Sequence, residues 1–63
     1  MTIEDHIKSL NREIAMRKRV YPGFVARGKM TGKEADHEID AMEAVLATLT
    51  KVKEMADSVG RLF

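Results

Sequence analysis

The chain reads as an all-α antiparallel helical hairpin that assembles with copies of itself. Three observations carry this. Apolar residues recur at helical spacing in two long segments, each opened by a capping-box pattern. The only proline and three of the four glycines fall between or near the junction of those segments. The chain is only 63 residues long and has no cysteine. A chain this small buries roughly 60% of its unfolded surface, and without disulfides or thiolate metal sites its natural support is oligomerisation.

The first helix is expected over about residues 2–21. Thr2 and Asp5 form the capping box, with Asp in place of the usual Glu, and acids in the first turn suit the positive end of the helix dipole. Ile3, Ile7, Leu10 and Ile14 then follow at steps of four, three and four, and the rhythm continues to Arg17 and Tyr21. Pro22 disfavours helical geometry at Tyr21, so an elbow is expected over residues 22–31, with residues 22–27 forming one short helical turn closed by a left-handed Gly28.

The second helix is expected over about residues 32–59, roughly 40 Å at 1.5 Å per residue. Thr31 and Glu34 complete a full capping box, and Met30 is placed to pack on Ala35. One seam runs through Ala35, Ile39, Met42, Leu46 and Leu49. A second, through Met42, Val45, Leu49, Val52, Ala56, Val59 and Phe63, overlaps it. Gly60 is the expected stop. The second helix outruns the first and is too broadly apolar for one neighbour, which predicts a homo-oligomeric bundle built from a single-domain chain.

The charge is uneven. Residues 14–33 contain no acid and carry Arg17, Lys18, Arg19, Arg27, Lys29 and Lys33, whereas residues 34–63 carry seven acids against three bases. The chain as a whole is at +1. The elbow is therefore the place to expect an anion or an acidic partner. Arg17 stands where the seam calls for an aliphatic residue. It fits either a ligand-binding guanidinium in a cavity between subunits or an ion pair with Glu13, Glu34 or Glu38. Tyr21 with Pro22 fits either a flat face for a base or a tyrosine capping the bundle. Arg19, Arg27, Lys29 and Lys33 fit either a phosphate-holding patch or a solvated basic face.

Catalytic chemistry is not expected. His6 and His37 stand apart with no metal-ligand spacing, no nucleophile–base constellation or phosphate loop is present, and the acid pairs Glu34/Glu38 and Asp36/Asp40 belong on a polar helix face. No cofactor and no metal site are expected. No apolar run approaches a membrane span and no secretory leader pattern opens the chain.

Residues 12–49 resemble a family of short tailed-phage and prophage proteins. The shared pattern is E-[IL]-x-M-R-x-x-V-Y-P-x-x-V-x-x-G-[KR]-M, four variable positions, then A-x-x-E-[IL]-x-x-M. Glu13, Ile14, Met16, Arg17, Val20, Tyr21, Pro22, Val25, Gly28, Lys29, Met30, Ala35, Glu38, Ile39 and Met42 match it, and Gly23 departs from the bulky residue common there. The resemblance implies a phage origin and a place in the bacterial cytoplasm. The expected function is a non-enzymatic, counter-defence binding protein. It would sequester an anionic nucleotide-type signal in inter-subunit pockets through Arg17, Arg19, Tyr21, Arg27 and Lys29. The alternative is a small interaction module that inhibits a host protein. Nucleic-acid binding through the elbow ranks below both, because the C-terminal half is acidic and no recognition helix follows the elbow.

Overall fold

In the computed structural model, residues 1–61 are described. They form two helices, α1 (Ile3–Ala26) and α2 (Gly32–Arg61), packed against each other and joined by a five-residue turn. Phe63, the last residue of the second seam, lies outside the described residues.

Both helix starts follow the sequence. The Thr2 side chain accepts from the Asp5 amide at 3.2 Å while Asp5 accepts from the Thr2 amide at 3.1 Å. Thr31 and Glu34 exchange the same two bonds at 3.0 and 3.3 Å. Each pair satisfies two amides that the helix itself leaves without partners.

The helix ends differ from expectation in two places. α1 does not stop at Tyr21; it runs through Pro22 to Ala26, so the short helical turn expected in the elbow is the last turn of α1 itself. A proline inside a helix removes one hydrogen bond and crowds the carbonyl four residues back, at a cost of about 3 kcal/mol. Here that carbonyl belongs to Lys18, and both Lys18 and Pro22 are exposed residues. Beyond Pro22 the extra turn places the half-buried Phe24 against Tyr21, ring centres 6.2 Å apart. Gly28, at φ +71°, then closes the helix as expected. Its amide donates to the Val25 carbonyl at 3.0 Å and that of Lys29 to the Phe24 carbonyl at 2.9 Å, the paired bonds of a left-handed helix stop. The second difference is Gly60, which does not end α2 before Arg61. It lacks the positive φ that makes Gly28 a stop.

The first seam of α2 faces α1. Ala35 is buried, and Ile39, Met42, Leu46, Leu49 and the stem of Lys53 are half-buried; Ile14 is the buried centre of α1, flanked by Ile7, Leu10 and Tyr21. Ion pairs bracket this seam. Lys18 meets Glu43 at 2.7 Å, Arg17 meets Glu38 at 3.4 Å, and Lys53 lies 4.0 Å from Glu4. The Lys53–Glu4 pair also sets the register: Lys53 sits beside the start of α1, and residues 54–61 project past it by about 12 Å. The second seam is uncovered. Val45, Val52 and Val59 are 49%, 48% and 53% exposed, and Met55 63%.

Two stability predictions follow from the backbone and from Lys53. Gly28→Ala should lose about 1 kcal/mol by forcing a side chain into the left-handed region, whereas Gly60→Ala, at negative φ, should gain up to about 1 kcal/mol; urea melts followed by circular dichroism read both. Lys53 is raised above its usual pKa of 10.5, first by its hydrogen bond to Asp57. A cation raised in the folded state contributes stability below its unfolded pKa and loses it as pH climbs through the folded one. Melting temperature should therefore fall above about pH 10.5, and Lys53→Met should flatten that fall.

Candidate functional site

The expected site residues lie at the turn end of the hairpin but divide among its faces. Arg17 and Tyr21, one helical turn apart, both sit along the packed seam and are half-buried. Arg17 is engaged on two sides. Its Nε donates to Glu13 Oε1 at 2.9 Å and its Nη1 to Glu38 Oε2 at 3.4 Å. Only 25% of its side chain is exposed. The Glu13 hydrogen bond is the largest influence raising its pKa further, so it stays cationic throughout the accessible range. One guanidinium shared by two carboxylates leaves a local formal charge of −1. The arrangement is the ion-pair option of the sequence reading, tying α1 to α2.

Tyr21 lines a groove where the end of α1 meets the start of α2. Lys18, Tyr21, Pro22 and Val25 form one wall; Gly32, Ala35, Asp36 and Ile39 form the other, around a volume of about 380 Å³. The hollow exists because small residues, Gly32 and Ala35, stand across from a ring. Lys18 on its rim is paired to Glu43. Lys18 and Asp36 were not among the expected site residues. Their signal lay in spacing: Lys18, Pro22 and Val25 share one flank of α1, and that flank becomes visible only once α1 is continued past the proline.

The other three residues stand outside this groove. Arg19 is exposed, about 200° around α1 from Arg17. Arg27 folds back over Phe24, its guanidinium carbon 5.3 Å from the ring centre. It also covers Gly23, where an added Cβ would come within 3.3 Å of Arg27 Nη1. Lys29 follows the left-handed Gly28 and is exposed, as is Lys33, the second residue of α2. Among the described residues, none of Arg19, Arg27, Lys29 and Lys33 has a carboxylate within ion-pair distance. The turn end thus carries four cations without acid partners, none of which lines the Tyr21 groove.

No cluster of three metal-ligating side chains occurs among the described residues. No described helix is long and apolar enough to cross a membrane. Compared with protein-family models, curated proteins and solved structures, the chain matches none of them.

The Arg17 network makes a prediction of its own. Arg17→Met should lower the melting temperature, and Glu38→Gln should add little on that background although it destabilises the parent. Strictly additive effects in this double-mutant cycle would show that the two side chains do not act together.

Proposed function

We propose that this protein is a non-enzymatic binding protein that works as a homo-oligomer and holds an anionic, nucleotide-type small molecule at the turn end of the hairpin. The observation that carries this reading is the set of cations at the turn end, Arg19, Arg27, Lys29 and Lys33, which have no acid partner among the described residues. A cation with no carboxylate partner is free to take a phosphate, and a tyrosine ring gives a base or ribose a face to stack on. Arg17 already holds two carboxylates. The reading therefore puts phosphate oxygens on Arg19, Arg27 and Lys29, a ring on Tyr21, and Arg17 beneath as the residue that fixes the seam from which Tyr21 projects. The groove is open to solvent on one side, so a neighbouring subunit is needed to enclose a ligand. Binding without chemistry suits a sequestering protein. The resemblance of residues 12–49 to short phage proteins supports a phage origin and the bacterial cytoplasm as its setting, where sequestration would serve counter-defence.

A second reading has its own support. The uncovered seam of α2 is a surface on which a host protein could dock, making the chain an inhibitory module. One stoichiometric protein captured from host lysate, with no nucleotide effect on stability, would favour it.

The primary test is thermal. A ligand that binds only the folded chain, at a hundred times its Kd, adds about 2.7 kcal/mol, and in a domain this small each kcal/mol raises Tm by about 4–8 °C. A panel of cyclic and ADP-ribose-type nucleotides should contain a member that gives such a shift. Tyr21→Ala and Lys29→Glu should remove it. No shift across the panel well above micromolar concentration would overturn the reading.

A further inference from the structure

The uncovered seam of α2 also specifies how two copies meet. We propose that α2 pairs antiparallel with α2 of a second copy about a two-fold axis near Val52, setting Val45 of each copy against Val59 of the other. This rests on the homo-oligomeric part of the reading above and names the surface it uses.

The hairpin is short of buried surface by about the area one such contact supplies. A folded monomer of 7.1 kDa is expected to expose roughly 4,100 Å²; this one exposes 4963 Å². The excess matches the ~800 Å² that each partner contributes to a standard interface. Among the described residues only Ile14 and Ala35 are buried in the isolated hairpin.

Composition selects a second copy as the occupant. On one flank of α2, Val45, Thr48, Val52, Met55, Ala56 and Val59 fall within an arc of about 100°, and no charged residue between positions 45 and 59 shares it. Lys51 lies just outside the arc and, with Glu54, lines a hollow beside Met55, and Asp57 lies away from it. Nothing in the arc repels its own image, as an isologous contact requires. The same flank continues onto α1 as a groove of about 400 Å³ lined by His6, Ser9, Leu10, Glu13, Val45 and Leu49. The projecting end of the second copy's α2, with Met55 and Val59, is placed to fill it.

The register follows from Glu38, which lies on the same flank nearer the turn. An axis near residues 48–49 would drive Val59 of one copy onto Glu38 of the other and desolvate a carboxylate already shared with Arg17. An axis at Val52 stacks valine on valine and leaves Glu38 outside.

The chain has no cysteine, so introduced thiols report the contact without background. Helices in contact lie 8–10 Å apart, and a disulfide needs Cα atoms within about 4.4–6.8 Å, which only residues facing each other across the contact meet. Under mild oxidation Val52→Cys should cross-link to a covalent dimer. Val45→Cys mixed with Val59→Cys should cross-link more than either alone, and Lys8→Cys, on the outer face of α1, should not. Val52→Cys giving no more dimer than Lys8→Cys overturns the proposal. Native mass spectrometry of the unmodified chain separates the two claims. An oligomer whose Val52→Cys form fails to cross-link assembles through another face, which sinks this interface and spares the homo-oligomeric reading. A monomer at tens of micromolar sinks both.

Discussion

Two helices joined by a tight turn can each hide only one stripe of residues from water, and α2 carries two. That mismatch governs the rest of the molecule. The stripe containing Ala35, Ile39, Met42 and Leu46 is spent on α1, and the one containing Val45, Val52 and Val59 is left outside. Folding a residue costs about 1–2 kcal/mol of backbone entropy. A seam with two buried residues and a ring of half-buried ones is a thin return against that cost. The capping boxes at Thr2 and Thr31 and the left-handed Gly28 stop each contribute on the order of 1 kcal/mol to fixing where the helices begin and turn. They set geometry and cannot substitute for a core.

The basic window of the sequence resolves into two populations once each residue has an angle on its helix. Arg17 and Lys18 flank the packed seam on opposite sides and reach Glu38 and Glu43 on α2. Their charge is consumed in clamping the hairpin from both edges. Such half-exposed pairs are individually weak, so their role is to fix the register of α1 against α2 more than to add stability. Arg19, Arg27, Lys29 and Lys33 point elsewhere, and among the described residues they have no acid within reach. A count of charges along the chain cannot separate these sets; the partners that Arg17 and Lys18 find on α2 lie more than twenty residues away.

What the sequence made legible was local. The two capping boxes, the Gly28 stop, the facing seam and the surplus seam all depend on residues within a turn or two of each other, and the structure has each of them. The run of α1 through Pro22 was not legible, because an interior proline is disfavoured locally and only contacts made by the turn beyond it, Phe24 against Tyr21 among them, can offset that. Gly60 was misread for a related reason: a glycine stops a helix by its φ, which the residue type permits but does not dictate. Arg17 was narrowed to two options by its place on the seam. Choosing between them required knowing that Glu38, on the other helix, comes within 3.4 Å. The Tyr21 groove was invisible as a groove, since one of its walls belongs to the other helix.

The clamps also divide the hairpin into two sides with different uses. The Tyr21 groove opens on the Lys18–Glu43 side. The surplus seam and the hollow at Leu10 and Val45 open on the side of Glu13, Arg17 and Glu38. A two-fold contact through Val52 therefore covers the second side and leaves the groove untouched. If the groove is to enclose a ligand, its open wall must come from a different contact, made by the opposite flank or by the turn of a further copy. Pairing through the seam and closing the groove then require two interfaces of different kind. A chain with two such interfaces builds an assembly larger than a dimer. In the proposed reading the thin core asks for a neighbour to supply burial and the half-open groove for a neighbour to supply a wall, and because the clamps separate the two sides these would be different neighbours.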